Sequence, residues 1–176
     1  MSRIKPEHIR ILAIAPSTRG FGFAVLEGRE TLVDWGVKSV NGDKNTGSLA
    51  KVEELMAHYQ PGVVVLQDNS AKDSRRSPRI RELGQQVVAL ASNRKISVAS
   101  FSRERVRRVF FANGQATKQA LAEVLAKRFP EELGFRLPPK RRAWMSQDGR
   151  MDIFDAVSLA LTFSRPRRKT TPETLK

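Results

Sequence analysis

The sequence predicts an α/β domain on a mixed five-stranded sheet, three antiparallel strands followed by two parallel ones, flanked by helices. Two observations carry this. Near the N-terminus, short apolar segments follow one another with only turn residues between them, the pattern of an antiparallel meander. After them, segments of helical spacing alternate with short β-branched runs, the pattern of parallel strands joined by crossover helices.

The run Ile11–Ala15 breaks at Pro16-Ser17-Thr18, and Gly20–Leu26 then sets Phe21, Phe23 and Val25 on alternate positions. Gly28 supplies the next turn, and Thr31–Val40 reads as a third strand. Ser48–Tyr59 carries Leu49, Val52, Leu55 and Met56 at helical spacing and ends at Pro61-Gly62. The continuous run Val63–Leu66 is what a strand buried on both faces looks like. A polar loop over Asn69–Pro78, a helix over Arg79–Arg94 and a strand at Ile96–Ala99 follow. Two helices, Ser102–Phe111 and Thr117–Phe129, each open on a hydroxyl N-cap and are parted by Asn113-Gly114. Leu133–Gly149 reads as a loop, and a last helix over Met151–Phe163 stops before Pro166. One domain over residues 1–164 and a basic, disordered tail over 165–176 are expected.

Charge narrows the partner. The 176 residues hold 32 Lys and Arg against 18 Asp and Glu, a formal charge of +14. Beyond Ser164 lie only Arg165, Arg167, Arg168, Lys169 and Lys176 against Glu173, so the domain itself is basic. A soluble basic domain binds polyanions by counterion release, and nucleic acid is the commonest of these. No long apolar run or basic amphipathic anchor argues for a membrane. With no cysteine, disulfides and thiolate metal sites are excluded and a reducing compartment fits. Met1–Lys5 leads into no apolar signal core, and a cytoplasmic protein is expected.

The sharpest local feature is Asp152 with Asp155, acids at i and i+3 on one face of an otherwise apolar helix. By spacing alone two readings stand. Either the pair holds a cation, since carboxylates on a buried helix need compensation, or Asp152 only complements the helix dipole and Asp155 is exposed. His8 and His58 are isolated and read as surface residues.

In order and in residues the chain resembles the RuvC family of Holliday-junction resolvases, which are ribonuclease H-like. Ile11-Leu-Ala-Ile-Ala-Pro-Ser-Thr18 is similar to the family's first strand and its Asp-Pro-Gly-Thr turn. Gly20–Val25 and Leu32–Gly36 follow it as the next strands; Val63-Val-Val-Leu-Gln67 resembles the strand ending in the catalytic Glu, and Asp152–Ala160 the closing acidic helix. The resemblance runs over residues 9–164. It implies a ribonuclease H-like fold, a two-fold homodimer, and four carboxylates holding two Mg²⁺ or Mn²⁺ ions. Asp152 and Asp155 match the last two of these positions, while the first is Ala15 and the second Gln67. Alanine offers no ligand and an amide offers one neutral oxygen, so binding of the metal is expected to be weak at most and catalysis impaired. Asp68 substitutes only if the strand has ended before it, because neighbouring strand residues point to opposite faces.

Basic residues concentrate in three places: Lys72, Arg75, Arg76, Arg79 and Arg81 after the Gln67 strand; Arg103, Arg105, Arg107 and Arg108 on one helix; and Lys140, Arg141 and Arg142 before the acidic helix. The resemblance makes Lys118 and Arg107 phosphate contacts beside the catalytic centre. It places Ser70 where the family has an aromatic wedge. Trp35 is expected to pack on the sheet, and Trp144, beside Arg141-Arg142, is a candidate for stacking on a base. Three functions fit: a RuvC-like protein on branched or duplex DNA with impaired cleavage, a YqgF-like nuclease on structured RNA, or a non-catalytic nucleic-acid scaffold.

Overall fold

The computed structural model describes residues 9–69 and 77–165. Its strands are β1 (Arg10–Pro16), β2 (Gly20–Glu27), β3 (Thr31–Ser39), β4 (Val63–Gln67) and β5 (Ser97–Phe101). Its helices are α1 (Lys44–Tyr59), α2 (Pro78–Asn93), α3 (Arg103–Phe110), α4 (Lys118–Arg128), the short α5 (Pro130–Leu133) and α6 (Met151–Ser164). The sheet order is β3-β2-β1-β4-β5. β1–β2 and β2–β3 are antiparallel, whereas β1–β4 and β4–β5 are parallel. This is the mixed sheet that the sequence predicts.

Strand alternation sorts side chains into two cores. Ile11, Ala13, Ala15, Ala24, Leu26, Val63 and Val65 face the side covered by α4 and α6. Leu12, Ile14, Phe21, Phe23, Val25, Val64 and Leu66 face α1 and α2. A parallel central pair buried on both sides needs apolar residues at every position, which is why β1 and β4 read as unbroken apolar runs.

α6 lies across β1 and β2. Gly22 makes this approach possible: a Cβ there would stand 2.3 Å from the Asp152 carbonyl oxygen and 2.6 Å from its Cβ. Gly28 turns the chain between β2 and β3 at φ +64°, a region that favours glycine.

Some boundaries differ from expectation, each for a local reason. The helix expected from Ser48 begins at Lys44 because Asp43 caps it, accepting the Thr46 N–H at 2.8 Å. The strand expected at Ile96–Ala99 runs Ser97–Phe101, because the Ile96 N–H closes α2 on the Ala91 carbonyl at 2.9 Å. The stretch expected as a loop from Leu133 opens with the end of α5 and a 3₁₀ turn, Gly134–Arg136. Arg165, placed in the tail by sequence, closes α6 on the Leu161 carbonyl at 3.1 Å, and its guanidinium lies 5.3 Å from the Phe110 ring centroid. Lys72, Arg75, Arg76, Ser70 and residues 166–176 lie outside the described residues.

Candidate functional site

The carboxyl ends of β1 and β4 meet the amino end of α6. Ala15 and Gln67 directly follow the paired residues Ile14 and Leu66. By alternation both face α6 rather than α2. Ala15 pairs with Gly22, the residue on which Asp152 sits, so Ala15 and Asp152 share one small buried area. Asp152 is buried, 8% exposed, and the neighbouring Ala15 brings no polar atom to it.

Asp155 stands one turn further along α6. Its Oδ2 accepts from the Lys118 ammonium at 3.2 Å, both side chains being about three-quarters buried. Lys118 is the first residue of α4, whose N-cap Thr117 accepts the Ala120 N–H at 3.1 Å. The same ammonium donates to Gln147 Oε1 at 3.4 Å, linking the loop before α6 to the acidic face of α6. Gln67, Arg103, Arg107, Lys118 and Asp155 line one cavity of about 30 Å³, room for a water or a small ion. The structure therefore brings together Gln67, Asp155, Lys118 and Arg107.

Outside that cavity, Arg103, Lys118, Lys140, Arg141 and Asp148 line an open groove of about 760 Å³. Asp148 anchors its inner end, accepting from Arg150 Nε at 3.0 Å and Nη2 at 2.7 Å. The Arg150 side chain, against a smaller opposing effect of burial, holds the Asp148 carboxyl below its ordinary value. With no side-chain N-cap, α6 begins instead on a turn in which Met151 N–H donates to the Asp148 carbonyl at 3.0 Å.

Two expected members stand apart. Asp68 is exposed, and its backbone N–H donates to the Phe101 carbonyl at 2.8 Å, so β4–β5 pairing continues just past Gln67. With Pro16, Ile80, Arg81 and Val88 it lines a cavity on the α2 side, which Gln67 borders as well but Asp155 and Lys118 do not. Arg79, expected on the nucleic-acid face, binds the protein: its guanidinium donates to the Ser17 carbonyl at 3.0 Å and to Asn45 Oδ1 at 3.1 Å. Arg142 is exposed.

The donor set does not fit a pair of divalent ions. Among the described residues no three acidic or histidine side chains gather to hold a metal. The two carboxylates of α6 are served in part by an ammonium, Ala15 supplies nothing, and the Gln67 amide donates to Asn69 Oδ1 at 3.1 Å. Two dications a few ångströms apart need bridging negative charge that this arrangement lacks. What the arrangement does offer is cationic side chains around a helix start, the surroundings that a phosphate prefers.

Some participants were not singled out by sequence. Arg103 was visible only as one of several helical arginines, and Gln147 and Asp148 carried no motif. Their roles follow from the groove that folding creates.

The class follows from the topology: a ribonuclease H-like fold of the RuvC type. Thermus thermophilus RuvC matches with a TM-score of 0.63 at 16% identity, over 88% of this chain and 92% of that one. The same protein in complex with Holliday junction substrate matches with 0.63 at 19% identity, over the same shares. The yeast mitochondrial Holliday junction resolvase Ydc2 matches with 0.61 at 14% identity, over 93% of this chain and 80% of that one. No family sequence model and no curated protein sequence matches the chain. At this level of identity the likeness establishes the fold. Among the described residues no helix is long and apolar enough to cross a membrane.

Proposed function

We propose that this chain binds nucleic acid, branched or duplex DNA, through the basic groove beside α6, and that its phosphodiester cleavage is impaired. The observation that carries this is the pairing of Lys118 with Asp155 at 3.2 Å next to Gln67, with Ala15 under Asp152. At positions matching a metal-holding set the chain has a methyl group, an amide and an ammonium-neutralised carboxylate. Phosphate approaching there meets less carboxylate repulsion and more positive charge, which favours binding over two-metal hydrolysis. Likeness in fold to a RuvC solved in complex with Holliday junction substrate supports branched DNA as the ligand, and a homodimer, which would present two equivalent sites to a junction, is the binding form proposed with it. The proposed domain runs to Arg165, which closes α6, with a basic sequence following, and the cytoplasm is the compartment proposed for it.

Lys118, Arg103, Arg107, Lys140 and Arg141 hold phosphates in this reading, and Arg79 acts by fixing α2 to the turn after β1. Equilibrium binding of a four-way junction, a linear duplex and a structured RNA across a salt series tests it. The junction binds best, and changing Lys140, Arg141 and Arg142 together to Ala flattens the slope of log affinity against log salt by roughly one unit per lost phosphate contact. A slope unchanged in that variant removes the groove as the binding face. Preference for structured RNA over both DNAs replaces the ligand.

A further inference from the structure

We propose that Trp144 is a base-stacking residue, taking one unpaired nucleobase while Lys140, Arg141 and Arg142 hold the neighbouring phosphates. This rests on the nucleic-acid reading above and names the feature of the ligand that the site selects.

The chain has two tryptophans, and the structure treats them oppositely. Trp35 packs against the core beside α6, whereas Trp144 is 78% exposed. The Met145 N–H donates to the Arg142 carbonyl at 3.0 Å, so Ala143 and Trp144 occupy the centre of a turn, with the indole at its corner. The stem of this loop is fixed at both ends. Pro138 is buried and its carbonyl accepts from Gln119 Nε2 at 3.5 Å, while Gln147 and Asp148 are tied to Lys118 and Arg150. The aromatic tip is thus presented on an anchored stem.

Its surroundings select the partner. Lys140, Arg141 and Arg142 are exposed, and the acid of the loop, Asp148, is committed to Arg150. The apolar surface at the tip is one indole with the 40%-exposed Met145, far short of the roughly 800 Å² per partner of a stable protein interface. It matches the face of a single base. Exposed cations and a bare aromatic plane within one short loop are complementary to a strand with phosphates and π-faces. Entering between the stacked bases of a duplex costs the unstacking energy of that step, so the indole favours a base that is unpaired, as in a single strand or at a branch point.

The test titrates the full chain with an oligothymidylate and with a blunt linear duplex of equal length, following tryptophan emission and affinity together. Oligothymidylate quenches the wild-type emission. Trp144→Ala weakens oligothymidylate binding roughly 10- to 100-fold and duplex binding less than about threefold. Trp144→Phe restores most of the affinity, and its remaining emission, from Trp35 alone, is not quenched. Equal oligothymidylate affinity of wild type and Trp144→Ala, or quenching that persists in Trp144→Phe, overturns the assignment while leaving the nucleic-acid reading in place. Failure of the wild type to bind either probe at low salt overturns both. An emission shift on phosphatidylserine vesicles with none on oligothymidylate gives the indole to a lipid surface instead and also overturns it.

Discussion

Two polar clusters at opposite ends of β1 use the same residue types to different ends. At the amino end, Tyr59 donates its hydroxyl to Asp34 Oδ2, Asp34 Oδ1 accepts the Trp35 N–H at 2.9 Å, and Arg10 joins the Tyr59 carbonyl at 2.9 Å to Glu27 at 3.6 Å. Every acid there has a donor and every donor an acid or carbonyl. At the carboxyl end, Lys118 answers Asp155, and the groove beside the pair is lined by four cations, Arg103, Lys118, Lys140 and Arg141, against two acids, Glu123 and Asp148. A closed network stabilises a fold; an excess of one sign beside a groove is arranged for something from outside.

The largest expected effect tests whether the α6 end is held as rigidly as its function needs. Gly22→Ala puts a methyl group into the Asp152 backbone and lowers stability by roughly 3 kcal/mol, or about 6–12 °C in Tm. Thermal unfolding followed by circular dichroism checks this, and an unchanged Tm means α6 can lift off β2 freely. Next come reciprocal variants of the two clusters. Lys118→Met lowers junction affinity about tenfold while Tm moves by less than about 3 °C; Asp34→Ala, which strands the Tyr59 hydroxyl, costs roughly 1–2 kcal/mol and leaves affinity within about twofold. Parallel melting and binding curves decide it, and an affinity loss in Asp34→Ala erases the distinction.

Much of the fold was legible because it depends on local rules. Alternation in β1 and β2, the buried run of β4 and the hydroxyl caps of α3 and α4 are all short-range signals. The carboxylate pair of α6 was legible for the same reason, being three residues apart. What stayed illegible depends on the chain folding back. Arg79 looks like a phosphate ligand in sequence, yet its guanidinium reaches Ser17, 62 residues away. Lys118 and Asp155 are 37 residues apart, and nothing local says that the ammonium sits on that carboxylate. The position of Asp68 turned on strand parity together with where β4 ends, and the structure sets it on the α2 side.

The smallest effect concerns the closed cluster. Burial first, and then the bond to Asp34, push the Tyr59 phenol up from its ordinary 10.0 to about 12, with Arg10 opposing. Between those values the unfolded chain has lost the phenolic proton and the folded chain keeps it. The folded state then binds more protons, so stability is full below pH 10 and declines as pH rises toward 12. Denaturant unfolding across this range should show a shallower decline in Tyr59→Phe than in the wild type. Identical slopes would place the phenol outside the network.

The most direct measurement is junction cleavage by the chain as it stands, by Ala15→Asp with Gln67→Glu, and by that double variant carrying Asp155→Asn, all at matched concentration in Mg²⁺ and then Mn²⁺. The wild type binds without detectable cutting, the double variant cuts, and the third variant does not. Cleavage by the wild type at the rate of the double variant contradicts the account, because Ala15 and Gln67 would then not stand at the positions that decide the chemistry.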